Sequence, residues 1–466
     1  MTPTAALQAA LTDLTGPTFT PADPDYDAAR RVYNAMIDKS PALIVQAHTV
    51  ADVVAGVNAA RDHGVLLAVR GGGHNGGGLG TCDDGLVIDL AALDSVEVDA
   101  EGKTVRVGGG ATWGQVDAAT GAHGLAVPSG IISTTGVGGL TLGGGLGHLT
   151  RTYGLAIDNL LAAEVVLADG RQVRASATEE PDLFWALRGG GGNFGVVTSF
   201  TFRLNDVSAF VGGPTFWDVG QGDAVLEAYR DFIPNAPREL NGFFAYTQVP
   251  PAPPFPEELH LRPVCAVVWA YVGDEDGART AMAPLLDALP APLLHGVAPM
   301  PHAALQTAFD GLYPKGQQWY WRADFVNTIP DEAVTIHQRF GSRLPTFQST
   351  MHLYPINGAA HDVEAGDTAW AYRDATWGSV FAGVSADPAD AAELKRWCVD
   401  YFEALHPHSA GGAYVNMMMD EGEERIRASY RGNYARLAQI KAAYDPDNLF
   451  RVNQNIKPAA AAAVGG

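Results

Sequence analysis

Apolar positions in the first two hundred residues come in short blocks, and the spacing inside the blocks alternates between extended and helical periods. Leu43-Ile44-Val45 is a strand-like run, and Thr49 stands where a helix N-cap belongs. Val50, Val53, Val54 and Val57 follow at helical spacing, and Gly64 takes the C-terminal cap position ahead of the second apolar run Leu66-Leu67-Ala68-Val69. Residues 43 to 70 therefore predict a strand, a helix and a strand. Further strand-like runs are Leu86 to Leu90, Val165-Val166-Leu167 and Val196 to Phe200. Between these runs sit four glycine clusters, at 71–78, 108–110, 136–147 and 189–195. Their flanking periodicity makes them loops on a folded sheet rather than a flexible linker.

From 210 to 410 the pattern changes. Glycine clusters thin out, prolines concentrate in 250–263 and 284–301, and aromatic residues such as Trp319, Tyr320, Trp321, Trp370 and Trp377 appear, which predicts a second domain. Beyond it, Ile426, Tyr430, Tyr434, Leu437 and Ile440 predict one helix over Glu423 to Tyr444, closed by the turn Asp445-Pro446-Asp447-Asn448. Glu421, Glu423 and Glu424 read as stabilisers of its N-terminus. The expected division is a first domain over 1–206 to which 411–460 returns, a second over 207–410, and a frayed alanine tail over 459–466.

Composition narrows the function. A chain of 466 residues with 47% hydrophobic content is too long for a small module and too apolar for a disordered one. Thirty basic against 52 acidic residues give a formal charge of -22, which repels phosphate backbones and anionic bilayers, so neither nucleic acid nor membrane is an expected partner. No run approaches eighteen apolar residues and no Sec-type leader opens the chain, so a cytoplasmic location is expected. Cys82, Cys265 and Cys398 are widely separated and suggest neither a disulfide framework nor a metal site.

Glycine-rich loops let backbone N–H groups approach an anion, so a nucleotide cofactor is the natural ligand. Two stretches match the letters G-x-G-x-x-G, at Gly71, Gly73, Gly76 and at Gly190, Gly192, Gly195. The first runs into more glycines and a strand, and the second into Val196-Val197-Thr198-Ser199-Phe200, so neither opens the helix that a Rossmann site requires. No Walker A string with its lysine is present.

The string Val69-Arg70-Gly71-Gly72-Gly73-His74-Asn75-Gly76 places an imidazole inside such a loop. Together with Thr135-Gly136-Val137-Gly138-Gly139, Gly143-Gly144-Gly145 and the ending Tyr444 to Ile456, it resembles the berberine-bridge-enzyme-like branch of FAD-linked oxidases, in the vanillyl-alcohol-oxidase superfamily. That resemblance runs from about residue 40 to 458 and implies an α+β fold. Its parts would be a PCMH-type two-part FAD-binding domain and a substrate domain whose antiparallel sheet is covered by helices.

The resemblance further implies FAD bonded through His74 to the flavin 8α-methyl, cradled by Arg70, Gly71, Gly72, Gly73, Asn75 and Gly76. Thr134, Thr135, Gly136, Gly138, Gly139, Gly143 and Gly144 would form a second wall, with Val197, Asn453 and Asn455 completing the cofactor contacts. Many relatives carry a second, cysteinyl link. Here Ile132 stands in the place of that cysteine, so the expected attachment is through His74 only. Cys82, eight residues from His74, has no activating neighbour and is expected to be inert.

Relatives that oxidise alcohols often hold a tyrosinate base in a Tyr-x-Asn-Tyr string. This chain reads Tyr414-Val415-Asn416-Met417, which moves the candidate catalytic role to Tyr153, Tyr354 or Tyr414. Each also reads as a packing residue. Trp319, Trp321, His352, Asn416 and Met417 are candidate substrate contacts, since alternation turns Trp319 and Trp321 the same way and gives Met351-His352-Leu353-Tyr354 two faces. The expected activity takes hydride from a CH–OH or CH–NH group of a small organic substrate to covalent FAD and passes the electrons to O2, giving H2O2. Two alternatives stay open: a monooxygenase using an N5-oxygenated flavin, for which Thr135 is a suitable small neighbour, and a catalytically silent flavin-binding protein. Met417 leans the substrate toward amines or secondary-metabolite intermediates and away from sugars. The oligomeric state is not readable.

Overall fold

The computed structural model describes residues 3–460. Its first half holds two sheets. In one, Leu43–Gln46, Leu86–Asp89 and Leu67–Arg70 pair in parallel, with Thr18–Phe19 antiparallel at the edge. In the other, five antiparallel strands run in the order Val96–Asp99, Thr104–Gly108, Val196–Arg203, Leu160–Val166 and Gln172–Ser176. The helix Val50–His63 starts on a capping box formed by Thr49 and Asp52 and stops at Gly64, whose φ of 64° is left-handed. Val53 and Val57 bury its inner face in a core shared with Leu86, Ile88, Val166 and Val196, joining the two sheets.

Residues 210–385 build an antiparallel sheet whose long strands are ordered Phe210–Asp218, Pro263–Val272, Leu240–Gln248, Thr350–Pro355, Trp377–Ser385 and Gln318–Val326. The short segments Leu294–His295 and Ala298–Pro299 edge it. One face carries Phe244, Tyr246, Val267, Trp269 and Phe381 into a core with Tyr229, Met282, Val334 and Tyr401, which come from four helices. The opposite face, with Phe243, Ala245, Val268, Phe325 and Val380, joins the core of the first half. The fold is therefore α+β, with a helix-covered antiparallel sheet set against two smaller sheets. No helix among the described residues is long and apolar enough to cross a membrane.

Three expectations are corrected. The helix expected over 423–444 is two helices, Glu423–Tyr430 and Tyr434–Tyr444. Arg431 adopts φ 46° at the break, where its guanidinium lies 3.5 Å over the Tyr372 ring and pairs with Asp374, while Asn433 Nδ2 donates to Ala365 O at 2.7 Å. These tertiary contacts override the helical period. Glu421 stands just ahead of the N-cap Gly422, but its carboxylate is buried in ion pairs with Arg322 at 2.7 Å and Arg425 at 3.5 Å and does not cap the helix amides. Ala459 is not frayed, because its amide donates to Ala438 O at 2.8 Å. The rest of the expected tail, 461–466, lies outside the described residues.

The chain's return to its first half is fixed by one buried ion pair. Lys441 and Asp445 have no exposed side-chain surface and stand 2.6 Å apart. Burial pulls the Lys441 ammonium below its ordinary value, opposed by Asp445. Its remaining protons go to Asn193 O at 2.6 Å and Phe450 O at 3.0 Å. Asp445 also accepts the Leu449 and Phe450 amides at 2.7 and 2.9 Å. Lys441→Met strands a buried carboxylate and is expected to cost about 3–5 kcal/mol, read as a lower midpoint in guanidinium titration, with flavin content falling in parallel.

Candidate active site

Two glycine loops meet backbone to backbone beneath the large sheet. A Cβ on Gly72 would lie 2.4 Å from Gly136 N, and one on Gly136 would lie 2.3 Å from Gly72 N, so only glycine permits the approach. That contact brings the hydroxyls of Thr134 and Thr135 to within 3.1 Å of His74 Nε2 and 3.4 Å of His74 Nδ1. The Tyr33 ring stacks on the imidazole with centroids 3.8 Å apart and planes 19° apart. Enclosure pushes the His74 pKa down to about 4, chiefly by desolvation, so the ring is neutral at neutral pH.

Tyr33 and Asn34 are stitched to both halves. Tyr33 N donates to Gly73 O at 3.0 Å, and Asn34 Nδ2 donates to Gly76 O at 2.8 Å and Trp319 O at 2.9 Å. Trp319 N in turn donates to Asn34 Oδ1 at 3.0 Å, and Ala35 N to Gln317 O at 2.8 Å.

His74 opens onto a cavity of ≈ 330 Å³. Arg70, Gly71, Gly72, Gly73 and Asn75 line it from the first loop, and Thr135, Gly136, Gly138 and Gly139 from the second. Val197 and Asn453 contribute from the five-stranded sheet and the C-terminal segment. Trp319, Trp321, His352 and Tyr354 face it from the large sheet, and Tyr414, Asn416 and Met417 from the returning chain. These residues, up to 383 positions apart in sequence, share one space.

Several expected residues stand behind the wall or elsewhere. Thr134 reaches only the imidazole, and Gly76 backs the Trp321 indole, where a Cβ would lie 2.3 Å from Cε2. Gly143 and Gly144 leave room for Asn416 and Trp370 respectively. Asn455 is off the cavity with its Oδ1 buried, while Gln454 lines it instead. Tyr153 is corrected as a site residue: its hydroxyl donates to Asp206 O at 2.6 Å on the seam between the halves. Beside it Arg151, buried, donates to Asn357 Oδ1 at 2.9 Å and Ala236 O at 2.8 Å, so this turn serves the joint.

The two remaining tyrosines differ. Tyr414 Oη accepts from Gly145 N and from Asn416 Nδ2, both at 2.9 Å, so its two lone pairs are occupied and burial keeps it a phenol. Tyr354 Oη instead lies 2.5 Å from His352 Nδ1. Burial drives the His352 pKa down to about 3 and that of Tyr354 up, so both are neutral. Phe243 packs against both rings, with centroids 4.8 and 5.1 Å away.

Sequence reasoning missed Tyr33, Thr350, Val380, Ala382 and Gln454, which also line the cavity. Strand alternation from His352 signals Thr350, and adjacency to Asn453 signals Gln454. Tyr33 has no local signal.

Residues 41–176 match the FAD binding domain family, and residues 413–457 match the family described as Berberine and berberine like. A FAD-linked oxidoreductase of Dictyostelium discoideum is 32% identical over 433 residues, covering 91% of each chain. The chain belongs to the berberine-bridge-enzyme-like FAD-linked oxidoreductases. Another relative, (R)-6-hydroxynicotine oxidase of Paenarthrobacter nicotinovorans, is 28% identical and covers 95% of this chain and 97% of its own. Among solved structures, 6-hydroxy-D-nicotine oxidase of Arthrobacter nicotinovorans superposes with a TM-score of 0.84 at 26% identity, covering 96% of this chain and 99% of that one. A chitooligosaccharide oxidase gives 0.85 at 26% identity, with 98% and 100% covered.

The cavity of this berberine-bridge-enzyme-like oxidoreductase suits FAD. A chain with 52 acidic residues lines it with no carboxylate, and buried Arg70 Nη1 has no partner among the described residues although Nη2 is held by Asp89 and Ala29 O. An unpaired guanidinium nitrogen beside glycine backbone fits an anionic group such as the diphosphate of FAD.

Deeper still, His148 is buried with Nε2 unpartnered among the described residues, and its pKa is pushed from the ordinary 6.5 to about 3 by burial, with His302 and His352 adding to the effect. The unfolded chain therefore binds one more proton than the fold below pH 6.5, so stability is lost as pH falls from 6.5 toward 3. His148→Gln is expected to remove about 2 kcal/mol of the stability lost between pH 6.5 and 4.5, measured by denaturant titration at several pH values.

Proposed function

We propose that the protein is an oxidase carrying FAD covalently attached through His74 alone, with the Tyr354–His352 pair receiving the substrate proton. The observation that carries this reading is that the hydrogen-bonded pair and the neutral His74 imidazole open onto one cavity. FAD, when bound, accepts hydride from a CH–OH or CH–NH carbon and hands the electrons to O2, giving H2O2.

The residues supply the rest. A neutral imidazole keeps a lone pair for the flavin 8α carbon, while Tyr33 fixes the plane of the ring and the threonine hydroxyls hold its nitrogens. No thiol stands ready for a second link, because Ile132 packs beside Tyr33 and Trp319, and burial lifts Cys82 to about 11. At the substrate, Tyr354 takes the hydroxyl proton and passes its own to His352 Nδ1, leaving the phenol neutral. His352 is a weak base in this pocket, but losing hydride makes the substrate hydroxyl far more acidic than an imidazolium, so the transfer runs downhill. Tyr354 thus takes over what Met417 cannot do, which supports an active enzyme over a silent binder. Thr135, small and β-branched on the cavity wall, supports access for O2. Three free, buried cysteines support a reducing, cytoplasmic setting.

Two outcomes test this reading. In acid-precipitated His74→Ala, the yellow colour is expected in the supernatant, whereas in the unmodified enzyme it stays with the protein; colour retained by the variant's pellet refutes the linkage. Tyr354→Phe is expected to slow anaerobic flavin reduction by an alcohol substrate about 10²–10⁴-fold with the resting flavin spectrum unchanged. A rate within threefold of the original removes Tyr354 from the proton path.

A further inference from the structure

The cavity face of the large sheet has a relief that bears on what it binds. Across it, Trp321 pairs with Ala382 and Ala382 with Thr350, and one row further Val380 pairs with His352. Residues opposite one another share a face, so the middle strand offers only Val380 and Ala382 between the indoles on one side and the His352–Tyr354 pair on the other. The flanking strands stand about 10 Å apart, two strand spacings, which makes a trough with a small-residue floor and aromatic walls. The trough ends at Gly378, over which Leu146 and Ile356 lie.

Its chemistry is uncharged. Among the described residues no Asp, Glu or Lys lines the cavity, and the one Arg there is in the glycine loop, tied to Asp89. Thr350 Oγ1 is already donated to Tyr246 O at 2.9 Å, which leaves the Tyr354–His352 pair as the polar feature of this face. A cation entering here would lose its hydration with no counter-charge, and a sugar would lose hydrogen bonds at most of its hydroxyls. A flat ring exchanges water for indole and phenol faces and keeps one hydroxyl for Tyr354.

We propose that the substrate is an uncharged, planar ring compound bearing a single oxidisable hydroxyl, and that Ala382 and Val380 set the width it can have. This rests on the oxidase reading for the reaction, but the shape and charge preference is readable without turnover. The test is equilibrium binding to the flavin-loaded enzyme, followed by tryptophan quenching and by the shift of the flavin absorbance. Three probes are compared at pH 7: 2-naphthylmethanol, 2-naphthylmethylamine, which has the same heavy-atom shape but a positive charge, and cellobiose.

The expected result is that 2-naphthylmethanol binds at least tenfold more tightly than either of the others. Ala382→Leu and, separately, Val380→Phe should each weaken it at least tenfold while acid-stable flavin content stays the same. Comparable or tighter binding of the amine or of cellobiose overturns the proposal, as does failure of 2-naphthylmethanol to bind or indifference of both variants to the added bulk. Tight 2-naphthylmethanol binding without peroxide formation would instead count against the oxidase reading and leave the trough assignment standing.

Discussion

Lys441 has no water to solvate it, and its three donated protons hold together parts of the chain that nothing local would join. One goes to the carbonyl of Asn193, in the fourth glycine cluster, and the others to Asp445 and to the carbonyl of Phe450. Asn193 then accepts the Ile456 amide and donates to Gln454 O, so the glycine loop and the returning segment form one polar knot in an apolar surround. Asn453 and Gln454 reach the cavity because this knot sets where the segment runs. A buried charge is costly unless all its hydrogen bonds are made, and that condition ties the cofactor wall to one geometry.

Above that wall the large sheet is buried on both faces, and the two faces do different work. Phe244, Tyr246 and Phe381 anchor it to its helices, while their neighbours Phe243, Ala245, Val380 and Ala382 face the first half. The same strands thus provide rigidity and a binding wall. The acidic surplus of the composition stays off the cavity, where Arg70 is the one ionic group among the described residues. Surface charge and site charge are separately determined in this molecule.

What could be read from sequence follows from how local the physics is. The Thr49 cap, the Gly64 stop and the glycine loop around His74 are set by residues within a few positions of one another, and they appear in the structure as sequence reasoning placed them. The break at Arg431 depends on Tyr372 and Asp374, about sixty residues away, so the helical period ran through it unseen. The sheet strands hid their sidedness because all nine positions of Trp377–Ser385 are buried, leaving no polar alternation to reveal which side chains face the cavity. Tyr153 and Asn455 looked like site residues by position in the chain, yet one serves the seam between the halves and the other is turned away. Tyr33 carried no motif at all.

The segment around Tyr33 has a consequence for how such proteins can be recombined. It lies ahead of the matched FAD-binding region, yet it hydrogen-bonds to Gly73 and Gly76 on one side and to the Gln317–Trp319 strand start on the other. A chimera that transplants the large sheet from a relative while keeping this N-terminal stretch would pair a foreign strand with a native stitch and disturb the ring stacked on His74. The unit of exchange is the sheet together with residues 33–35, so the halves that look modular in the linear sequence are a matched set in this chain.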